Sequence, residues 1–136
     1  MRERKLQLSL LDEVYGICIF PNNAPVPEWA VTASLYSITR TKKELTIVCP
    51  QSVIPSDCEY DSNWRCFRID GSFDLNQVGV ISSLAAPLAQ AGVSIFVVSS
   101  YDTDYFLVTG EKVEKAIAAL SDNGHLIVRP VNIDNS

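Results

Sequence analysis

The sequence predicts an α+β fold, and three observations carry this prediction. Segments in which apolar and polar residues alternate, typical of half-buried strands, recur along the chain. Two stretches of the second half instead repeat apolar residues at helical spacing. From Trp64 onward the order is β-α-β-β-α-β, the split βαβ arrangement of the ferredoxin-like class, with an antiparallel sheet. The 136 residues, 47% of them hydrophobic, can bury a sizeable core.

The first half of the chain is predicted to consist mainly of strands. Its predicted strands are Lys5 to Leu11, Val14 to Phe20, Ser34 to Thr39 and Leu45 to Cys49. Asp12-Glu13 is typical of a turn, and the three prolines between Pro21 and Pro27 indicate a loop. Glu28 to Ala33 has room for only one or two helical turns. The polar turn Thr41 to Glu44 makes the last two strands a hairpin.

The second half alternates strands and helices. Its predicted strands are Trp64 to Ile69, Val93 to Ser99, Tyr105 to Thr109 and His125 to Val128. The first helix has Asp74 as its predicted N-cap, with Gln77 in the capping-box position, and ends at Gly92. Pro87 lies inside this helix and should kink it, because proline removes one hydrogen bond. The second helix is predicted from Glu111 to Leu120.

A weak internal repeat divides the chain. When the sequence is shifted by 61 residues, a polar turn precedes an apolar strand of the same register in both halves. The matched pairs are Thr39 with Ser100, Leu45 with Phe106 and Ile47 with Val108. We therefore predict two tandem units, a degenerate unit at residues 1–63 with reduced helices and a complete unit at residues 64–136.

Charge and hydropathy limit the classes of partner. The net charge of -5 disfavours both nucleic acid and an anionic membrane surface, which are themselves negative. The longest apolar stretch, Val78 to Val98, is interrupted by serines, a proline, a glutamine and a glycine, so it does not predict a spanning helix. No signal-peptide pattern follows the basic N-terminus, and we expect a cytoplasmic protein.

The four cysteines give no metal signature. Cys18 and Cys49 lie within apolar strands, where a free cysteine usually acts as a small buried hydrophobe. Cys58, Cys66 and His125 could contribute to a metal site, but their spacing does not match that of zinc ligand pairs. The sequence therefore predicts neither a metal nor another cofactor.

Several longer segments resemble a known family. They are Gly79 to Phe96 (GVISSLAAPLAQAGVSIF) and Ser99 to Tyr105 (SSYDTDY), with Ser37 to Thr41, Glu44 to Pro50 and Trp64-Arg65 upstream. Together they resemble the small bacterial ACT-domain proteins, which are related to the ACT domains of the eukaryotic cytosolic arginine sensors. The resemblance extends from about Tyr15 to His125.

This resemblance implies βαββαβ units paired side by side, a homodimer, and regulatory binding of a small molecule, commonly an amino acid, between units. Carried onto this chain, it implies a ligand loop and a facing strand end. The implied ligand-binding residues are Asp74, Leu75, Asn76, Gln77, Val78, Gly79 and Val80, and Ser100, Tyr101, Asp102, Thr103 and Asp104. The first half lacks the long first helix and the matching glycine, so a complete site is expected only in the second half.

The chemistry of these residues suits a zwitterion. Free N–H groups at a helix start near Asn76 would donate hydrogen bonds to a carboxylate, and Gly79 would allow close approach to the backbone. Asp102 and Asp104 could bind an ammonium group or a cationic side chain. The simpler readings are that Asp74 only caps the helix and that the two aspartates are ordinary turn residues.

Three classes of function can be weighed on this basis. The first is a regulatory module that binds a small molecule, most simply an amino acid. The alternative is a protein–protein interaction module that uses ACT-type pairing without a small ligand. A catalyst is disfavoured, because the chain has one histidine and no nucleophile elbow, phosphate loop or Cys–His signature.

Overall fold

The computed structural model describes residues 5–70 and 79–131, in which seven strands form one sheet. The strands are β1 (Gln7–Phe20), β2 (Ser37–Arg40), β3 (Leu45–Pro50), β4 (Asp61–Ile69), β5 (Phe96–Ser99), β6 (Asp104–Thr109) and β7 (Leu126–Val131). Two α-helices, α1 (Val80–Gln90) and α2 (Val113–Asp122), are present, with 3-10 turns at Glu28–Val31, Gln51–Val53 and Gly110–Lys112. None of the helices in these residues is long and apolar enough to cross a bilayer.

The strand order is β2-β3-β1-β4-β6-β5, and β7 pairs with β1. Every pairing is antiparallel except that of β7, which runs parallel to the beginning of β1. A mixed fold with a mainly antiparallel sheet is therefore confirmed. In the first half, the described helical elements are 3-10 turns, in keeping with the short segment predicted at Glu28 to Ala33.

The predicted turn at Asp12-Glu13 is wrong. β1 is one strand of 14 residues that continues through this position. Its pairing with β4 shifts register between Leu10 and Val14, so the two acidic residues lie in a bulge. Because β4 pairs with β1 on both sides of the shift, tertiary pairing keeps the strand continuous where the local sequence favours a turn.

Strand β4 belongs to both halves of the sheet. It pairs with β1 on one side and with β6 on the other. The predicted boundary after residue 63 falls inside this strand, and the sheet continues across it without a gap. The division into two tandem units thus stays a prediction, and any such units share one sheet.

Helix α1 begins later than the sequence pattern predicts. Its first residue is Val80, and Gly79, with a φ of 91°, is the residue that precedes it. Asp74, the predicted cap, lies outside the described residues, and a cap at that position would be too far from Val80 to serve this helix. The helix continues past Pro87 to Gln90.

The two faces of the sheet carry different cores. On the face that we call the helical face, Leu8, Phe67 and Phe106 pack with Leu84 and Leu88 of α1. The next residues along β4 and β6 point the other way. On this opposite face, a second core includes Tyr15, Cys66 and Leu107.

A third core lies beneath the 3-10 turns of the first half. It contains Cys18 and Cys49 together with Ala30, Leu45 and Ile47, all of them buried. The predicted burial of these two cysteines is confirmed, and both are free thiols.

Candidate functional site

The β5–β6 hairpin holds its acidic side chains by local hydrogen bonds. Ser99 pairs with Asp104, and the Ser100 N–H donates to the Thr103 carbonyl at 2.9 Å. The Ser99 hydroxyl donates to Asp104 Oδ1 at 2.5 Å, and the Thr103 hydroxyl donates to Asp102 Oδ1 at 3.1 Å. Each carboxylate keeps further acceptor capacity, because an ionised carboxylate offers about four lone-pair positions.

This hairpin lies at the same end of the sheet as the first turn of α1. Arg68, near the end of β4, pairs with Tyr105 at the start of β6. The Ser83 carbonyl of α1 accepts a hydrogen bond from His125 Nε2 at 3.2 Å, and the Leu6 N–H donates to His125 Nδ1. Leu6 directly precedes β1, and the first residues of β1 pair with the end of β4. The β5–β6 hairpin and the first turn of α1 therefore lie at the same end of the sheet.

The two aspartates of the hairpin differ in direction. Asp104 lies two residues before Phe106 on β6, so its side chain is on the helical face, as α1 is. Asp102 instead lies close enough to Tyr105, on the opposite face, for its charge to influence the Tyr105 hydroxyl. Burial, followed by the nearby Cys66, raises the pKa of Tyr105; Arg68 lowers it, and Asp102 raises it further. Asp104 is thus the carboxylate on the same face as α1.

Gly79 has open space beside it as far as residues 5–70 and 79–131 show. A Cβ added there would meet only the Ser82 hydroxyl oxygen, at 3.6 Å, and the positive φ favours glycine. Val80 is 6% exposed, so its side chain belongs to the core and only its backbone could face a ligand. Tyr101 is 82% exposed and points away from the protein.

Five of the predicted site residues cannot be placed. Asp74, Leu75, Asn76, Gln77 and Val78 lie outside the described residues, so their role stays a prediction. Within the described residues, Gly79 and Asp104 are at the same end and on the same face of the sheet.

A polar network at this end of the sheet was not anticipated from the sequence. On the opposite face, Asp70 accepts hydrogen bonds from Arg68 Nε at 2.9 Å, Ser9 Oγ at 2.6 Å and Gln7 Nε2 at 3.3 Å. The sequence signal that could have indicated this network is the recurrence of polar residues at alternate positions near the start of β1 and the end of β4. Because its charges are mutually paired, this network serves to join β1 to β4.

Cys58, Cys66 and His125 do not come together, since Cys58 packs with Cys18 and Cys49 in the third core. Cys66 is on the opposite face, whereas His125 lies under α1. In residues 5–70 and 79–131, no three cysteine, histidine, aspartate or glutamate side chains are arranged to hold a metal ion. Burial raises the pKa of the Cys66 thiol to about 12, so this thiol is protonated at neutral pH.

Comparison with known proteins gives consistent matches. A model described as the ACT domain matches residues 59–122, and a model of an N-terminal domain matches residues 13–57. The crystal structure of protein Atu0741 from Agobacterium tumefaciens is 35% identical, with a TM-score of 0.88 over 95% of this chain and 97% of that chain.

Two further relatives are more distant. The human protein CASTOR3P is 31% identical over an alignment 86 residues long, which covers 54% of this chain and 53% of that protein. The chain therefore spans about half the length of this curated relative. The ligand-free regulatory subunit of aspartate kinase from Thermus thermophilus has a TM-score of 0.60 at 12% identity, over 86% of this chain and 97% of that chain, and so shares the fold.

Proposed function

The chain is a small ACT-domain protein, and from this premise we propose that it is a regulatory module that binds an amino acid and catalyses no reaction. ACT domains are generally small-molecule regulatory modules, and the structural relatives include regulatory subunits of aspartate kinase. The ligand that we propose is zwitterionic, because the candidate site offers both backbone donors and a carboxylate.

One observation carries this proposal: the first turn of α1 and Asp104 lie at the same end and on the same face of the sheet. The first N–H groups of a helix have no acceptor within the helix and carry partial positive charge, so they suit the carboxylate of an amino acid. Asp104 would accept its ammonium group. Gly79 would let the ligand reach the backbone, because among the described residues only the Ser82 hydroxyl lies within 4 Å of the position that a Cβ would take.

Calorimetric titration with each of the twenty amino acids tests the proposal. Replacement of Asp104 by asparagine should weaken the binding of the best ligand by about 1 to 3 kcal/mol, because a charge-assisted hydrogen bond is lost. The fold should persist, since the asparagine carbonyl can still accept from Ser99. Asp57→Asn, an exposed aspartate outside the site, removes the same charge and serves as the control.

The proposal fails if none of the twenty amino acids binds. It fails in its site assignment if Asp104→Asn binds as tightly as the parent protein. Unfolding of Asp104→Asn alone would show that the hairpin needs this carboxylate for structure, and the assignment to the site would then be withdrawn.

The second candidate is a protein–protein interaction module, and the edge strand β5 favours it. Among the described residues, β5 has a neighbour on one side only and carries no charged residue, whereas two further edge strands, β2 and β7, contain Arg40 and Arg129. Charged residues commonly protect edge strands from pairing, so the uncharged edge is the better partner surface. We propose a homodimer in which the β5 strands of two copies pair.

Light scattering at tens of micromolar tests this dimer. Val97 on β5 is 44% exposed, so a lysine at this position should leave the monomer folded but prevent the β5 strands of two copies from pairing. The parent protein should be dimeric and Val97→Lys monomeric, with the same circular dichroism spectrum. A dimer that survives this substitution would place the interface elsewhere.

A further inference from the structure

Three of the four cysteines lie together in the third core. Cys18 of β1 and Cys49 of β3 are fully buried, and Cys58, from the loop before β4, is half-buried and packs against them. Burial raises the pKa of Cys18, and the neighbouring Cys49 and Cys58 thiols, which form side-chain hydrogen bonds with it, raise it further. Cys18 is thus a direct neighbour of both other thiols.

The strand register disfavours a bond between the two buried thiols. Cys18 pairs with Ile47 and Cys49 with Gly16, so the two cysteines are diagonal neighbours on adjacent antiparallel strands. Such neighbours lie about 7 to 8 Å apart, which is beyond the usual Cα separation of a disulfide. Because both backbones are held in the sheet, neither cysteine is free to move closer to the other.

Cys58 is not held in this way. It lies in a turn outside the strands, where its N–H donates to the Pro55 carbonyl at 3.1 Å. Its thiol donates only a long hydrogen bond, of 3.6 Å, to the Glu59 carbonyl. A turn has no strand register to keep, so a small adjustment of this loop can bring the Cys58 sulfur into bonding distance of Cys18.

Cys58 also faces solvent. It is the only cysteine that lines an open groove of about 550 Å³, whose other lining residues are Ile17, Ile19, Glu59, Tyr60, Asp61 and Ser62. A small neutral oxidant such as a peroxide can therefore reach Cys58 directly. Cys18 is 0% exposed and does not line the groove, so it is accessible only to a group already attached to Cys58.

We infer that Cys58 and Cys18 form a reversible oxidation site, in which a peroxide reacts first with Cys58 and Cys18 then closes a disulfide. The Cys58 thiolate attacks one peroxide oxygen and the O–O bond breaks. The second oxygen leaves as hydroxide, which takes up the proton lost by the Cys58 thiol, and a sulfenic acid remains. The Cys18 sulfur then attacks the sulfur of the sulfenic acid, the S–O bond breaks, and hydroxide leaves as water with the Cys18 proton. The two sulfurs together lose two electrons, which reduce the peroxide to two waters.

The second step is the slower one. Burial keeps Cys18 protonated at neutral pH, and a thiol is a weaker nucleophile than a thiolate. The closeness of the two sulfurs within one core offsets part of this disadvantage, because the attack is intramolecular. The disulfide anchors the loop before β4 to β1, and a dithiol reverses it by thiol–disulfide exchange.

Peptide mass spectrometry of the full chain tests this inference. The protein is treated with one equivalent of hydrogen peroxide at pH 8, its remaining thiols are blocked in urea, and it is digested with trypsin. Trypsin places Cys18 on the peptide of residues 6–40 and both Cys49 and Cys58 on that of residues 44–65. The two peptides should be recovered as one linked species from monomeric protein, and dithiothreitol should separate them.

Three substitutions assign the sulfurs. Cys58→Ala should lower the yield of the linked species at least about tenfold, since the entry thiol is missing. Cys49→Ala should leave the yield unchanged, and so should Cys66→Ala, the matched control, which removes a buried thiol on the opposite face. Alkylation of native Cys58 with iodoacetamide before peroxide should abolish the link as well, and this measurement needs no variant to fold.

Two results would overturn the inference. A linked yield in Cys58→Ala equal to that of the parent would mean that Cys18 bonds with Cys49. Oxidation of Cys58 to a sulfinic acid in the parent, without a linked species, would mean that Cys18 does not resolve the sulfenic acid. Asp104→Asn should leave the link intact, so this site and the amino-acid site can fail independently.

Discussion

The ring of His125 supplies the hydrogen bond that Pro87 cannot make. In a regular helix the N–H of residue 87 would donate to the carbonyl of Ser83, and proline has no N–H. His125 Nε2 lies 3.2 Å from that carbonyl, and its Nδ1 accepts from the Leu6 N–H at 3.1 Å. Because Nδ1 accepts, the proton must be on Nε2, and the imidazole is neutral with both nitrogens used. The ring, 5% exposed, therefore joins α1 to the segment before β1.

Replacement of His125 by phenylalanine should destabilise the protein by about 2 to 4 kcal/mol, because it leaves two buried backbone groups unpaired. In a Pro87→Ala background the same replacement should cost about 1 kcal/mol less, since residue 87 then donates to Ser83. Urea unfolding followed by circular dichroism measures all four proteins of this cycle. Equal costs in the two backgrounds would mean that His125 does not compensate for the proline.

Gly16 is a site of close packing. A Cβ at this position would lie 2.6 Å from Tyr60 Cδ2 and 2.7 Å from Ile54 Cδ1. Gly16→Ala should therefore lower the free energy of unfolding by about 1 to 3 kcal/mol, the usual range for an overpacked core. In an Ile54→Val, Tyr60→Ala background, where both clashing atoms are removed, the penalty should be smaller. An undiminished penalty would point to backbone strain instead.

The cysteines should differ sharply in reactivity. Burial raises the pKa of Cys18 and of Cys66 to about 12 and that of Cys49 to about 11. Thiolates are the reactive species, so these three should resist a thiol-specific aromatic disulfide reagent at pH 8. Only Cys58, which is half-buried, should react before urea is added, and all four afterwards. Rapid loss of more than one thiol in the native protein would contradict this assignment.

Alkaline pH should destabilise the protein through the same thiols. An unfolded cysteine ionises near pH 8.5, well below the folded pKa values, so the unfolded state loses its protons first. Stability is then fully present below about pH 8 and falls as the pH rises toward 11 to 12, by about 1.4 kcal/mol per pH unit for each thiol. Urea unfolding of the parent and of Cys66→Ala at pH 8 and pH 10 measures one thiol's share. Equal pH slopes in the two proteins would exclude Cys66.

The sequence predicts the elements well and their connections less well. Short apolar runs locate β3 and β6 within about a residue of their observed ends, because the central residues of both strands are buried on both faces of the sheet. The continuous β1 was not predictable, since Asp12-Glu13 favours a turn locally and only pairing with β4 decides otherwise. The pairing of β7 with β1 has no local signal at all.

The candidate site was predictable only in part. Spacing and resemblance identify Gly79 and Asp104. The sequence alone does not reveal that Asp102 lies near Tyr105 on the opposite face, because the direction of a side chain beside a turn depends on the pleat of the folded strand.

The sharing of β4 between the two halves determines how the chain can be divided. A fragment that ends at residue 63 would keep only the first residues of β4 and would expose most of one side of β1; a fragment that begins at residue 64 would lose β1, the strand to which β7 pairs. Neither piece would have a closed core of its own, and each would present long unpaired strand edges. The two pieces would instead complement one another, so that co-expressed halves should reassemble where isolated halves aggregate.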